Sequence, residues 1–271
     1  MPFVRDHSTR ELLQQDAHKT MRPEEVDLKM LTKRHIFMEA EAAAAVGPRS
    51  AVADLKAQYA ENPDFLKKVG ALVERFEVLR RSRPDGSCFY RAYLFGIFEQ
   101  LAGNKELATA FLARQKEALK FCVEAGYEEV AIEGFYDEFM EMAAKVSEGV
   151  STSTLEAMWE ENDNDRYLVC WARVLTSAYL KRHEQDFASF LTSHSSIQQF
   201  CAQEVDPMDT EADHLQIMAL SSFLAVPVTV VYLDRSEGAT AEHPFAHESS
   251  LPCTPIHLLY RPGHYDLIYT K

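Results

Sequence analysis

Two short segments carry residue types that can do chemistry together. In RPDGSCFYRA, from Arg83 to Ala92, Pro84-Asp85-Gly86 is turn chemistry and Cys88 follows directly. The apolar stripe Phe89, Tyr93, Leu94 and Ile97 predicts a helix beginning at that point. A helix start offers unpaired N–H groups and the positive end of the backbone dipole, a setting that favours a nucleophilic sulfur. The loop N–H groups of residues 85–88 can also face a developing oxyanion. In PGHYDLIY, from Pro262 to Tyr269, a short β-branched and aromatic run predicts a strand. His264 and Asp266 are two apart and so share one face, with Tyr265 and Leu267 opposite. A carboxylate beside an imidazole fixes its tautomer and stabilises the cation formed on proton transfer. Each segment alone has an ordinary explanation, a small buried cysteine or a solvated His and Asp on an edge strand. Together they form the Cys-His-Asp arrangement of cysteine hydrolases.

The other candidate residues are weaker. Cys122, Cys170 and Cys201 lie inside apolar helical patterns and read as core, while Cys253 lies in a Pro-rich loop and is expected to be exposed. His243 and His247 have helical ligand spacing, but Pro244 between them argues against a helix, and no CxxC pair exists. These residues support no metal site.

Elements that would position the two segments can be read on either side of them. Residues 51–80 carry Leu55, Tyr59, Phe65, Val69, Leu72, Phe76 and Leu79 at helical steps. Helices are predicted at 88–101, 105–124, 135–148, 152–160, 165–182, 184–193, 196–204 and 212–224. After Val226 the pattern changes to strands: PVTVVYL from Pro227, IHLLY from Ile256, and HYDLIY from His264. Arg261-Pro262-Gly263 is a turn signal that pairs the last two as a hairpin. A helical body followed by a small sheet gives an α+β fold. Residues 1–50 read as a polar helical arm closed by the breaker Gly47-Pro48, leaving 51–271 as one catalytic domain.

Composition sets the outer limits. The chain has 271 residues, 46% of them apolar, and a formal charge of −14. These values exclude a disordered or low-complexity chain, and the acidity argues against nucleic acid as a partner. No apolar run approaches the roughly 18 residues of a membrane span, and the N-terminus lacks the apolar segment of a secretory signal. Five scattered cysteines suit a reducing, cytoplasmic setting better than a disulfide framework, with nuclear presence left open. The charge is concentrated: between Glu124 and Asp165 there are 13 acidic residues against Lys145 alone. Such a window reads either as a solvated face or as a docking surface for a basic partner.

The chain resembles the otubains, ubiquitin-specific cysteine proteases of the ovarian-tumour (OTU) class. The resemblance rests on RPDGSCFYRA at 83–92, QEVDPM at 203–208, ADHLQIMAL at 212–220, VYLDR at 231–235 and LLYRPGHYDLIY at 258–269. It covers about residues 51–271. It implies a papain-like, OTU-type fold with a small sheet between helical lobes. It further implies that Cys88 is the nucleophile, His264 the base, Asp266 the residue that orients His264, and Asp85 the residue that holds the oxyanion loop. Ser87 departs from the asparagine common in otubains, and only its backbone N–H is expected to matter. The implied substrates are ubiquitin and polyubiquitin, with preference for the linkage typical of degradation signals. Ubiquitin-conjugating enzymes are further implied partners, in a non-catalytic role that restrains ubiquitin transfer. The resemblance also implies that the helical arm builds the proximal ubiquitin site, and that the segment Glu211–His214 blocks the triad until ubiquitin binds. A monomer is expected.

Overall fold

The computed structural model describes residues 43–191, 193–234, 240–246 and 251–271. Six strands form one mixed sheet: β1 (Val46–Ala51), β2 (Phe76–Ser82), β3 (Val228–Tyr232), β4 (Glu242–Phe245), β5 (Ile256–Arg261) and β6 (His264–Thr270). Their spatial order is β1-β2-β6-β5-β3-β4. Every neighbouring pair is antiparallel except β3 and β5. The β5–β6 hairpin turns through Pro262-Gly263, and Gly263 takes φ +80°, a left-handed conformation that L side chains rarely adopt.

Alternation along the strands divides the core in two. Val228, Val230, Leu258, Tyr265 and Leu267 face the large helical lobe, while Val231, Leu259 and Ile268 face the opposite side. The smaller side is covered by α1 (Pro63–Arg75), whose Val69 and Leu72 pack with Val52 and Leu55. Asn62 caps α1 by accepting from the Phe65 N–H, and Pro63 occupies the first turn, where its missing N–H costs nothing. The large lobe comprises α2 (Cys88–Gly103), α3 (Lys105–Gln115), α4 (Ala118–Glu124), α5 (Glu129–Ser147), α6 (Thr152–Glu160), α7 (Asn164–Arg182) and α8 (His214–Leu224). At its centre α2 is buried nearly all round and packs on β5 and β6. A helix apolar on every face must lie inside a domain. Among the described residues no helix is long and apolar enough to cross a membrane.

The α+β reading holds, and β3, β5, β6 and the hairpin lie where the pattern places them. The structure departs from the pattern in four places. Phe76 and Leu79, spaced as on a helix, belong to β2, because pairing with β1 and β6 outweighs local periodicity. Residues 46–50, assigned to the arm with Gly47-Pro48 as its breaker, form edge strand β1, where proline is tolerated. The helix expected over 105–124 is two, α3 and α4, and within 184–191 the chain makes a one-turn helix, Glu184–Phe187, and a 3-10 turn, Ala188–Phe190. His243 lies on β4, a strand missed because Pro244 interrupts it, while His247 falls outside the described residues, as does the helical reading of residues 1–42.

Candidate active site

Cys88 is the first residue of α2 and is buried, with 2% of its surface exposed. The strand β6 lies against it: the Tyr265 N–H donates to the Cys88 Sγ at 3.4 Å. On either side of Tyr265, His264 and Asp266 share the opposite face, and His264 Nε2 is bonded to Asp266 Oδ1 at 2.7 Å. The two segments, 177 residues apart, therefore meet at one place, as their chemistry requires.

Asp266 is fully buried and surrounded by donors. Its Oδ1 also accepts from the Ser82 N–H of β2 at 3.1 Å, and its Oδ2 accepts from Arg261 at 2.5 Å. Burial alone would raise its pKa, but the His264 and Arg261 charges hold the carboxyl well below the usual carboxylate range. For His264 burial acts the other way and favours the neutral ring. The Asp266 carboxylate, and after it the Cys88 sulfur, override this and raise the imidazole pKa to about 10. Among the described residues its buried Nδ1 has no well-formed hydrogen bond, and the Cys88 sulfur lies close enough to the ring to raise its pKa.

The loop before Cys88 is built by Asp85. Its carboxylate accepts from the Ser87 N–H at 2.9 Å and takes a two-pronged bond from Arg91, at 2.8 and 2.9 Å. Arg91 is itself buried and bonds Asp165 through Nε at 2.9 Å; Arg83 reaches the same carboxylate at 3.4 Å. Burial disfavours the Arg91 charge, but the two carboxylates, Asp85 before Asp165, raise its pKa. Gly86 is required by close approach: a Cβ there would lie 1.8 Å from the Asp209 carbonyl oxygen. The segment 205–213 thus packs directly on the loop. It continues past Gly263, where a Cβ would lie 3.5 Å from Glu211 Oε1, and the Ala212 carbonyl accepts from the Tyr265 hydroxyl.

All four sequence-predicted residues, Asp85, Cys88, His264 and Asp266, come together. The Ser87 expectation needs correction, since its hydroxyl is engaged as well: Oγ accepts from Arg173 at 3.0 Å and from the Asp209 N–H at 3.4 Å. Sequence reasoning missed Arg91, Asp165, Arg173 and Arg261. Arg91 and Arg261 lie inside the two motifs, where an arginine among apolar residues was the available signal. Asp165 was hidden in the acidic window, which is therefore not wholly separate from the site. That window is also partly neutralised, as Glu156 pairs with Arg80 at 2.7 Å and Glu124 with Arg182 at 2.5 Å. Other acidic residues of the window stay exposed, among them Glu129, Glu133 and Asp137 along one flank of α5 with Glu141, which pairs with Lys145 at 2.6 Å.

The remaining cysteines offer no rival nucleophile. Burial pushes the Cys122 thiol up to about 12 and that of Cys201 to about 11, and raises those of Cys170 and Cys253 as well. Cys170 and Cys253 are half-buried, the first less enclosed and the second more enclosed than their patterns suggest. Among the described residues no group of three or more His, Cys, Asp or Glu side chains could hold a metal ion.

Comparison with known proteins converges on one family. The profile of peptidase C65, otubain, matches residues 38–270. Human ubiquitin thioesterase OTUB1 is 36% identical over 225 residues, spanning 83% of this chain and 82% of the relative. Human ubiquitin thioesterase OTUB2 is 32% identical over 209 residues, 77% of this chain and 88% of the relative. Among solved structures, a ceOTUB1 complex with ubiquitin aldehyde and UBC13~Ub superposes with a TM-score of 0.80 at 30% identity, covering 88% of this chain and 98% of that one. With its profile matched from end to end of the sheet and helical lobe, the chain belongs to the otubains, peptidase family C65.

Proposed function

We propose that this deubiquitinase hydrolyses isopeptide bonds in ubiquitin chains and ubiquitin conjugates by a Cys-His-Asp thiol mechanism. The observation that carries the reading is the contact of Cys88 at the start of α2 with β6, beside a His264 bonded to Asp266. Cys88 Sγ attacks the carbonyl carbon of the last ubiquitin glycine while His264 Nδ1 holds the thiol proton. The carbonyl π electrons move to oxygen, and backbone N–H groups of the Asp85–Cys88 loop stabilise that charge. His264 then protonates the leaving lysine amine as the C–N bond breaks. Water, deprotonated by His264, hydrolyses the thioester and returns the free thiol. Asp266 keeps the ring oriented throughout, and Asp85 holds the loop through Ser87 and Arg91.

The same reading assigns the preference for degradation-type linkages to the residues before the catalytic core. Removing residues 1–42 should slow diubiquitin cleavage more than hydrolysis of a ubiquitin C-terminal fluorogenic amide, and equal losses would refute it. It also has the segment 211–214 gating access, supported by the enclosure of Cys88 and by the packing of that segment on Gly263 and Tyr265. Five free cysteines support a reducing, cytoplasmic setting for a monomeric enzyme. Cleavage of the eight diubiquitin linkages by wild type and Cys88→Ala tests the whole. Wild-type cleavage abolished in the variant is expected, and no cleavage of any linkage would overturn it.

A second reading is supported by the solved complexes, in which ceOTUB1 and h/ceOTUB1 are bound to ubiquitin aldehyde with UBC13~Ub or UBCH5B~Ub. In it, the chain binds a charged ubiquitin-conjugating enzyme and restrains transfer without using its cysteine. Cys88→Ala should then retain inhibition of chain synthesis, and loss of inhibition with the thiol would refute this second role.

A further inference from the structure

Arg173 of α7 is a buried cation placed against the nucleophile loop. Its guanidinium donates to the Val205 carbonyl at 2.9 Å through one terminal nitrogen. Through the other it donates to the Gly86 carbonyl at 3.1 Å, Ser87 Oγ at 3.0 Å and the Thr210 carbonyl at 2.8 Å. The guanidinium also lies over the Tyr90 ring, 4.4 Å from its centroid. Arg173 is 1% exposed and forms no ion pair among the described residues, unlike Arg91, whose charge meets two carboxylates. Burial disfavours the Arg173 charge, and the nearby Tyr90, Asp209 and Asp85 only partly offset this, so a neutral side chain could tie two loops together at lower cost. The acceptors show what the charge accomplishes. Fixing the Gly86 carbonyl toward Arg173 fixes the plane of the peptide that joins Gly86 to Ser87. Fixing Thr210 and Val205 holds in place the segment whose Asp209 carbonyl abuts Gly86. The positive charge then sits beside the loop where negative charge develops on the substrate oxygen.

We propose that Arg173 is a positioning residue for the reaction at Cys88, clamping the 85–88 loop and the 205–210 segment into the geometry that stabilises the oxyanion. This rests on the hydrolase reading above. A residue acting in this way affects the step that makes a tetrahedral oxyanion and leaves a reaction that makes none unaffected. Alkylation of the sulfur by iodoacetamide is such a reaction.

The test compares wild type with Arg173→Met, Arg173→Lys and Ser87→Ala on a ubiquitin C-terminal fluorogenic amide, alongside iodoacetamide alkylation of Cys88 followed by mass spectrometry. For Arg173→Met, kcat should fall about 100-fold, the scale of losing one oxyanion donor. KM and the alkylation rate should stay within about twofold. Arg173→Lys, which keeps the charge but not the forked geometry, should lose at least about tenfold in kcat. Ser87→Ala, which removes one acceptor without stressing the core, should lose about fivefold and keeps the idea testable if Arg173→Met does not fold. Unchanged kcat in folded Arg173 variants, or in Ser87→Ala if they do not fold, overturns the role. So does a parallel fall in kcat and alkylation, which marks general loosening. Cys88→Ala in the same assay separates the two claims: no wild-type turnover sinks the hydrolase reading and this inference together, whereas turnover that Cys88→Ala abolishes and the other variants leave untouched sinks only the role of Arg173.

Discussion

Replacing Asp266 with asparagine changes one buried oxygen to an amide nitrogen and should cripple catalysis without altering substrate binding. In wild type both carboxylate oxygens accept, one from His264 and Ser82 and the other from Arg261. Asparagine has one acceptor and one donor end. If its oxygen faces His264 and Ser82, its NH₂ faces the Arg261 guanidinium; if it flips, its NH₂ faces two N–H groups. Either way donors oppose donors in a dry site, a penalty of about 1–3 kcal/mol for each unmet group. The chemical effect is larger. Raising the His264 pKa from 6.5 to about 10 corresponds to roughly 5 kcal/mol in favour of the imidazolium, shared between Asp266 and the Cys88 sulfur. Losing the larger share and the correct tautomer should lower kcat by about 10³–10⁴-fold, the scale seen for this change in Ser-His-Asp hydrolases. Because Asp266 is fully buried behind His264, KM should move by less than about threefold. The assay is steady-state hydrolysis of a ubiquitin C-terminal fluorogenic amide, with an NMR titration of the His264 ring. A folded Asp266→Asn protein within tenfold of wild-type kcat, or a His264 titration that stays near 10, would refute the reasoning.

Four further outcomes follow from the same contacts. The His264–Asp266 pair should stabilise the fold over a bounded pH window. The raised His264 pKa gives stability complete below about 6.5 and lost as pH rises toward 10, and the depressed Asp266 pKa gives stability complete above about 3.9 and lost as pH falls. The Tm difference between wild type and Asp266→Asn should therefore be widest between about pH 4 and 6.5, and a flat difference would contradict it. Gly86→Ala must displace the loop from Asp209, so kcat should drop by about 100-fold while circular dichroism stays native; near-wild-type turnover would mean the close approach is unimportant. Asp165→Ala strips the buried Arg91 of a partner and should cost about 3–5 kcal/mol, roughly 6–20 °C in Tm by differential scanning calorimetry, and a shift under about 3 °C would refute the network. Neutralising Glu133, Asp137 and Glu141 together should raise KM for ubiquitin substrates and flatten its dependence on salt. If neither changes, the α5 flank is only a solvated face.

The proximity of Cys88, His264 and Asp266 could be anticipated from the sequence because each half of the candidate site is local. Turn, cysteine and helix onset are contiguous, and His264 and Asp266 are paired by strand alternation before any tertiary contact is known. The supporting arginines could not be read in the same way, because their meaning lies in partners far along the chain. Arg91 meets Asp165 across 74 residues and Arg173 meets Ser87 across 86. In the acidic window Asp165 looked like one more solvated charge, whereas burial and its two arginines make it part of the foundation of the Asp85 loop. Strand β2 was obscured for a different reason. Leu72, Phe76 and Leu79 keep a helical rhythm across the point where α1 ends, and only pairing with β1 and β6 decides the matter. That error touched the site itself, since β2 delivers the Ser82 N–H to Asp266.

We propose Cys88 as the nucleophile that attacks the ubiquitin carboxyl terminus, activated by His264 and Asp266. The most direct measurement is intact-mass and peptide-mapping spectrometry of the protein incubated with a ubiquitin bearing a thiol-reactive C-terminal electrophile. A single adduct on Cys88, absent in Cys88→Ala and strongly slowed in His264→Ala, is the predicted result. An adduct on another cysteine, or equal labelling with and without His264, would contradict the account.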